Sequence, residues 1–371
     1  MLLPVTEIEL AEAVRAVPGA LSIRGGGTRP VGRPVNGETL SVAGLSGIVL
    51  HEPGALTLVA RAGTPLAEVE AALAVAGQRI AFEPMDHRTL LATTGTPTIG
   101  AVVAANVAGP RRVQVGSARD FLLGLRCVTG SGEIVKSGGR VMKNVTGYDL
   151  ARLIAGSFGT LAVITEVALK VLPQVEASAM LTLSGLDPLQ AVVAMSAALG
   201  SPFEVTGAAY DPEAELTRLR IEGFAGSVNY RVSRLAELLA PNGQATITLD
   251  PTEVWSNWER IRDMSAFAGR AGDVWRISVK PTDAPSLTSK LDMPFRYDWG
   301  GGLIWVLAPQ GTDLRRSLGA FNGHATLIRA DLATRSAIAS FHPETPAVAA
   351  LSNGLRRRFD PRGILNPGLM G

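Results

Sequence analysis

The residues whose type and spacing best suit them to bind a ligand are the glycines of Arg24-Gly25-Gly26-Gly27-Thr28. A run of glycines can turn several backbone N–H groups toward one point and bind a diphosphate, because no Cβ blocks close approach. Pro30 and Pro34 exclude the helix that a dinucleotide fingerprint requires directly after its glycines, and no Walker phosphate loop is present. An ordinary tight turn between strands would explain the same residues without a ligand.

Two further segments are rich in small residues and could also lie against a ligand. Residues 95–109 leave room for a flat ring or a phosphate beside a helix predicted over 98–106, whose first N–H groups lack partners within the helix. A close-packed structural helix is the alternative. Residues 156–161 lie between a predicted helix and a strand, where a helix end alone would account for Gly156.

The surrounding pattern predicts an α+β protein. Residues 121–129 and 133–137 are predicted to form a β-hairpin, and residues 160–172 a long strand. Beyond Pro173, helices predicted over 188–199, 228–239, 253–267 and 313–321 alternate with strands, which indicates one sheet with helices on one side. We expect a first domain over residues 1–175, a second over 176–345, and a helix and tail over 346–371 that return to the first.

Composition excludes several classes of protein. The 371 residues are 46% hydrophobic and 18% charged, which rules out disorder for most of the chain. A net charge of +2 argues against a nucleic-acid binder that works through a basic face. The single cysteine, Cys127, excludes an internal disulfide and an iron–sulfur cluster held by this chain alone.

The sequence also shows no targeting or membrane segment. The N-terminus lacks the basic start of a secretory signal, and the uncharged stretch over residues 89–110 is broken by glycines and prolines. A cytoplasmic location is expected, with membrane contact at most peripheral, at the cytoplasmic face of the inner membrane and through a complex.

The order of these motifs resembles a known family. The sequence resembles the PCMH-type FAD-binding domain of the vanillyl-alcohol-oxidase superfamily. The resemblance is carried by residues 24–28, 98–109, 116–120, 143–149 and 156–165, in that order. The closing residues 359–368 resemble those of its flavin-linked 2-hydroxy-acid dehydrogenases. Within that group the chain most resembles the FAD-binding E subunits of bacterial glycolate oxidase, and the resemblance covers nearly the whole chain.

The resemblance implies a two-part FAD-binding domain plus a smaller α+β cap domain with an antiparallel sheet. Many covalent members carry a flavin-linking histidine where Thr28 and Arg29 stand here, so a non-covalent FAD is predicted. The implied cofactor-binding residues are Arg24, Gly25, Gly26, Gly27, Thr28, Gly95, Thr98, Ile99, Gly100, Ala105, Asn106, Gly109, Gly116, Asp120, Gly156, Gly159, Thr160, Ile164 and Asn366.

Residues for catalysis are less evident. The larger catalytic relatives carry paired histidines around a metal, whereas the four histidines here (His51, His87, His324 and His342) are all distant in sequence, so no metal site is predicted. Arg296 is the one candidate to hold a substrate carboxylate. A salt bridge or a cation–π contact is the favoured alternative for Arg296.

Three hypotheses for function follow. In the first, the chain is the FAD-binding subunit of a complex that oxidises glycolate to glyoxylate, with a catalytic flavoprotein subunit and an iron–sulfur subunit as partners. In the second, it is a self-sufficient dehydrogenase of small 2-hydroxy acids such as D-lactate or glycolate. In the third, it is a non-catalytic scaffold subunit. The absent histidine pair favours the first.

Overall fold

The computed structural model describes residues 1–140 and 147–371. The chain forms two compact units, which we call the first unit (residues 1–108, 116–174 and 343–371) and the second unit (residues 109–115 and 175–342). The short segment 109–115 therefore clusters with the second unit, although it stands within the stretch expected to be the first domain.

The first unit is built on a five-stranded antiparallel sheet in the order β3-β4-β8-β6-β7. The predicted hairpin is present as β6 and β7, with Arg126 opposite Lys136. A parallel pair (β1 and β2) and a short antiparallel pair (β5 and β9) complete its strands. The strands are β1 (Leu21–Arg24), β2 (Glu38–Ser41), β3 (Ile48–Glu52), β4 (Thr57–Arg61), β5 (Gln78–Arg79), β6 (Leu122–Thr129), β7 (Ile134–Gly138), β8 (Ala162–Lys170) and β9 (Leu172–Pro173).

Two helices of the first unit begin at a residue that caps them through its side chain. Thr6 accepts a hydrogen bond from the Glu9 amide at the start of the first helix, and Asp149 does the same for the Arg152 amide at another. The C-terminal tail lies alongside β1, where Leu365 is opposite Leu21. The helices are Glu7–Ala16, Leu66–Val75, Arg88–Leu91, Ile99–Ala104, Ala118–Phe121, Leu150–Ile154 and Pro346–Phe359.

The second unit is built on an eight-stranded antiparallel sheet in the order β13-β10-β12-β11-β15-β16-β14-β17. The main core lies on one face, under the helices Pro188–Leu199 and Ala225–Leu239. The strands are β10 (Ala177–Ser184), β11 (Val205–Asp211), β12 (Leu216–Gly223), β13 (Ala245–Thr248), β14 (Asp273–Val279), β15 (Phe295–Asp298), β16 (Leu303–Ala308) and β17 (Gly323–Arg329). Other helices are Arg112–Val115, Pro251–Arg262, Ala284–Thr288, Leu314–Leu318 and Leu332–Ala337.

The prediction of helices on one side of this sheet is wrong in one respect. Along β10, Leu181 points into the main core, whereas Met180 contacts a separate cluster with Trp258 of the Pro251–Arg262 helix. Alternate residues of a strand face opposite sides of the sheet, so this helix covers the opposite face. We call that face the arginine face, since Arg220, Arg276 and Arg296 alternate with core residues on their strands. No described helix combines the length and apolarity needed to cross a bilayer.

Candidate functional site

The glycine loop after β1 lies directly against residues 95–98. A Cβ added to Gly26 would stand 1.5 Å from the Thr96 carbonyl oxygen, and one added to Gly95 would stand 1.7 Å from the Gly26 carbonyl oxygen. No side chain fits in either place, because the two backbones touch. Close backbone packing therefore accounts for these two glycines without a ligand.

The tip of the same loop is different. Gly27 has a left-handed backbone with φ of +74°, and a Cβ placed there would meet nothing within 4 Å. Arg24 is exposed beside it, whereas Thr28 is buried and its carbonyl accepts a hydrogen bond from the Thr93 hydroxyl at 3.0 Å. The loop thus presents one open glycine and one cation at its surface.

Two buried hydroxyls of the first unit lack a hydrogen-bond partner within the described residues. They are Thr98 Oγ1 and Ser157 Oγ. A Cβ at Gly25 would stand 2.4 Å from Thr98 Oγ1, so the glycine leaves the space that this hydroxyl occupies. Buried polar groups are nearly always satisfied in a functional state, so both hydroxyls point to a polar ligand.

The prediction of free N–H groups at the start of the Ile99–Ala104 helix is wrong for two of them. The Ile99 amide donates to the Thr64 carbonyl at 3.0 Å, and the Gly100 amide donates to the Ala62 carbonyl at 2.9 Å. Thr98 precedes the helix without capping it through its side chain. The helix start is therefore bonded to the loop after β4, and the Ile99 and Gly100 amides are not available to a phosphate.

Three non-glycine residues with left-handed backbones come together around this helix. Asn106, Phe158 and Asn366 have φ values of +47°, +52° and +43°. The Phe158 amide donates to the Ala104 carbonyl at 2.9 Å, and a Cβ at Gly156 would stand 3.2 Å from that of Asn106. Such conformations cost about 1–3 kcal/mol each and concentrate at ligand sites.

Asn366 connects the tail to two of the loops. Its Oδ1 accepts a hydrogen bond from the Ile23 amide at 2.8 Å, and its Nδ2 donates to the Phe158 carbonyl at 2.8 Å. A Cβ at Gly159 would lie 3.0 Å from this Nδ2. Both ends of the amide are thus engaged by the protein, which makes Asn366 a residue that positions β1 and residues 158–159.

Several other predicted residues have structural partners in the first unit. Asp120 accepts from the Ser117 amide and hydroxyl at 2.8 and 2.9 Å, and Gly116 approaches the same carboxylate. Thr160 donates to the Ser157 carbonyl at 2.7 Å. Ile164 is buried in β8 opposite Cys127. Ala105 follows the Ile99–Ala104 helix as its C-cap.

Two predicted positions fall elsewhere. Gly109 belongs to the second unit, where its carbonyl accepts a hydrogen bond from the Trp299 indole at 3.0 Å. Residues 143–146 of the resembling segment lie outside the described residues. The structure therefore brings residues 24–28, 95–106, 156–160 and 366 together in the first unit, whereas Gly109 is part of the second unit.

In the second unit, Arg296 is already neutralised. Its guanidinium forms an ion pair with Asp211 at 3.1 Å and a second with Glu213. Hydrogen bonds from Arg270 and then Arg296 lower the pKa of the Glu213 carboxyl. The salt-bridge interpretation of Arg296 is confirmed, and its assignment as a carboxylate holder is not supported.

Two other arginines of the second unit contact the same aromatic ring. The guanidinium groups of Arg276 and Arg112 lie 5.0 and 4.9 Å from the centre of the Trp299 ring. Burial, and then the charge of Arg112, lowers the pKa of Arg276 to about 10, while Asp298 acts in the opposite direction. Among the described residues, no carboxylate forms an ion pair with Arg276. The neighbouring Arg111, in contrast, is paired with the buried Glu222.

Two histidines that are distant in sequence join this cluster. His342 Nδ1 lies 3.3 Å from the Ala325 amide, next to His324. Burial, followed by the charges of Arg276, His342 and Arg112, lowers the pKa of His324. Within residues 1–140 and 147–371, no three His, Cys, Asp or Glu side chains gather as a metal site would require.

The half-buried Arg276 guanidinium forms no ion pair with a described carboxylate, and arginine binds carboxylates through two parallel hydrogen bonds, so Arg276 can hold an anion. We call Arg112, Arg276, His324 and Trp299 the cation cluster. Sequence reasoning missed it, because its members come from four separate segments and no spacing relates them.

Comparison with known proteins agrees with this architecture. Residues 1–138 match the family described as an FAD binding domain. The solved structure of an alkyldihydroxyacetonephosphate synthase superposes with a TM-score of 0.70 at 17% identity, over 98% of this chain and 76% of that one. The chain is thus an FAD-binding protein with the PCMH-type α+β fold, and the predicted fold class and cofactor are confirmed.

Closer relatives define the family. The glycolate oxidase subunit GlcE of Escherichia coli is 38% identical over 345 residues, which cover 92% of this chain and 89% of that protein. The chain belongs to the GlcE family, as the resemblance of its motifs predicted. The glycolate oxidase subunit GlcD of Bacillus subtilis is 43% identical over only 79 residues, or 21% of this chain and 17% of that one.

Proposed function

We propose that the first unit holds FAD without a covalent bond, in the region formed by residues 24–28, 95–106 and 156–160. The open Gly27, the exposed Arg24 and the unpartnered hydroxyls of Thr98 and Ser157 support this assignment. They fit a cofactor that carries a diphosphate and polar ring edges. When bound, the flavin supplies acceptance of a hydride from an alcohol carbon.

We further infer that the chain is a subunit of a complex that oxidises glycolate to glyoxylate. The observation that carries this proposal is the similarity to the GlcE subunit along 89% of its length. A catalytic flavoprotein subunit of the GlcD type and an iron–sulfur subunit are the proposed partners. One buried cysteine, Cys127, cannot ligate an iron–sulfur cluster, so electrons would leave through another chain.

The cation cluster favours a second candidate function, a self-sufficient dehydrogenase of small 2-hydroxy acids. Arg276 and Arg112 together could hold a substrate carboxylate, and neutral His324 could accept the hydroxyl proton. The lowered pKa of His324 keeps it in the neutral form that a base requires. This role needs no partner subunit for the first half of the reaction.

One experiment separates the two functions. The visible absorption of the purified chain is recorded without oxygen, before and after addition of glycolate or D-lactate. Bleaching of the flavin band by the chain alone would establish the self-sufficient enzyme. A band that persists alone but bleaches when the GlcD-type subunit is added would establish the subunit of a complex, and a chain that purifies without flavin would contradict both.

The attachment of the cofactor is tested by acid precipitation. We expect the yellow colour to appear in the supernatant, because no covalent link is predicted. Colour that stays with the pelleted protein would contradict a non-covalent FAD.

A further inference from the structure

The Pro346–Phe359 helix buries none of its residues, although it runs for 14 residues. Val348, Leu351 and Leu355 are 47%, 71% and 38% exposed. These positions follow a spacing of three and four residues, so they form one stripe along the helix. Ala347 and Gly354 lie on the same stripe. Elsewhere in the chain helices bury such a stripe in a core, so this one lacks the partner that its pattern requires.

Gly354 adds a second, independent observation. A glycine inside a helix costs about 1 kcal/mol relative to alanine. A Cβ at Gly354 would meet nothing within 4 Å, so no contact in the described part of this chain requires the glycine. Its absence of a side chain leaves a notch in the stripe between Leu351 and Leu355. A notch of this kind allows another backbone to approach the helix closely.

The charged residues at the two ends of the Pro346–Phe359 helix indicate what kind of protein could bind its apolar stripe. Arg356, Arg357 and Arg358 form the last turn. The acidic residue that precedes the helix, Glu344, accepts a hydrogen bond from the Ser352 hydroxyl at 2.8 Å. The apolar stripe is therefore followed by a cluster of cations with no matching cluster of acids at the other end.

This asymmetry disfavours a second copy of the chain as the occupant. Two parallel copies would place their arginine turns side by side. Two antiparallel copies would place each turn of three arginines against the N-terminus of the other helix, which carries a partial positive charge and one nearby carboxylate, Glu344, already bonded to Ser352. Both arrangements leave arginines without matching carboxylates, whereas a partner with several carboxylates beside an apolar ridge complements the helix.

We propose that the stripe of Ala347, Val348, Leu351, Gly354 and Leu355 is the docking surface for another protein subunit. The partner presents an apolar helix whose flank carries Asp or Glu side chains that meet Arg357 and Arg358. This inference rests on the proposed function of the chain as a subunit of a complex, and it names the surface through which that subunit is held. The GlcD-type subunit from the same genome is the partner used in the test.

The test is co-purification of the full-length chain with that GlcD-type subunit. Leu351→Asp places a carboxylate in the stripe, and we expect at least a tenfold loss of retained partner. Leu189→Asp is the matched control, because Leu189 is 60% exposed on a helix of the second unit. Flavin content and circular dichroism of each variant report whether the chain itself still folds.

A charge arm tests the acidic partner. The double change Arg357→Glu with Arg358→Glu is expected to reduce retention about tenfold at low salt, while Arg316→Glu, at a residue 90% exposed in the second unit, leaves retention unchanged. A stripe that acts through apolar contact alone would respond to Leu351→Asp and not to this pair, which would overturn the acidic partner.

Two other outcomes overturn the docking surface and leave the proposed function intact. They are equal retention of the Leu351→Asp variant and a wild-type dimer that the variant abolishes in sedimentation. Failure of the proposed function is distinguishable, since it appears as absent flavin, as a wild-type chain that does not retain the GlcD-type subunit, or as a complex that retains the partner and does not oxidise glycolate.

Discussion

The two units of this protein build their candidate sites from different materials. In the first unit, glycines, left-handed asparagines and carbonyl groups shape the site, and Arg24 adds a charged side chain at its surface. In the second unit, two guanidinium groups share one indole ring and a histidine lies nearby. A site made of backbone is sensitive to an added Cβ, whereas a site made of charge is sensitive to a lost cation. The predictions below test that difference.

The largest effect is expected for Gly26→Ala. Its Cβ would stand 1.5 Å from the Thr96 carbonyl oxygen, so the loop must move away from residues 95–98. We expect flavin content per chain to fall more than tenfold. Gly19→Ala is the control, because a Cβ there meets nothing within 4 Å and the backbone is not left-handed. Normal flavin content in the Gly26→Ala variant would show that the backbone contact is not needed.

Asn366→Ala should be the next most harmful change. It removes the hydrogen bonds to the Ile23 amide and the Phe158 carbonyl, both at 2.8 Å. Loss of two bonds to partly buried backbone groups predicts a decrease of about 2–4 kcal/mol in the free energy of unfolding, which urea titration measures. Asn366→Asp keeps the acceptor, so its free energy of unfolding should lie between those of the wild type and of Asn366→Ala. An equal loss in both variants would argue against the role of the bond accepted from the Ile23 amide.

Arg276→Gln tests the cation cluster. Oxalate serves as an unreactive carboxylate, and we expect its affinity to fall about 10–100-fold, since a hydrogen bond to a charged group is worth about 1.5–3 kcal/mol. Isothermal calorimetry provides the measurement. Arg296→Gln is the matched variant, because its ion pairs with Asp211 and Glu213 occupy the guanidinium. A larger loss in Arg296→Gln would return the carboxylate site to that residue.

Thr98→Val is expected to have a smaller and more selective effect. Thr98 Oγ1 is buried without a partner within the described residues, so valine should leave the stability of the FAD-free protein unchanged or slightly raised. If FAD supplies the missing partner, its affinity should fall about tenfold or less, which corresponds to one hydrogen bond. Flavin fluorescence titration measures the affinity for FAD, and thermal unfolding measures the stability of the FAD-free protein. A loss of stability without a loss of affinity would contradict the assignment.

The smallest effect concerns pH. The pKa of His324 is lowered in the folded chain by burial first, and then by Arg276, His342 and Arg112. The unfolded chain therefore binds a proton more readily, so the stabilisation is complete above the ordinary histidine pKa of about 6.5 and is lost as pH falls through the lowered value.

His324→Gln should reduce the drop in melting temperature between pH 7.5 and pH 5.5. Oxalate, by neutralising Arg276, should raise the pKa of His324, which NMR titration can follow. Identical pH profiles for the variant and the wild type would contradict the sign of the shift.

Much of the first unit could be predicted from local pattern. Thr6 marks a helix start, residues 130–132 join a hairpin, and residues 24–28 follow a strand, each because a few neighbouring residues suffice to specify the local conformation. The local pattern does not reveal which group a backbone amide bonds to. The Ile99 and Gly100 amides follow a helix-start pattern, yet carbonyls of residues 64 and 62 occupy them.

In the second unit, the local sequence does not predict the partners of the arginines. Arg276 and Arg296 both alternate with core residues on strands. Their local sequences do not show which of the two arginines is held in ion pairs. Asp211 and Glu213 stand beside Arg296 because β11 pairs with β15, a contact between segments more than 80 residues apart in the chain. Strand order decides which side chains meet across a sheet, and it is a property of the whole chain.

The sequence by itself determined the fold class, the FAD cofactor and the family, because glycine runs, caps and their order along the chain are local and additive signals. Only the tertiary structure decided which buried hydroxyls lack a partner among the described residues, which arginine is held in ion pairs, and which helix lies with its apolar stripe exposed. Each of these depends on burial and on neighbours from distant segments, and both arise when the chain packs.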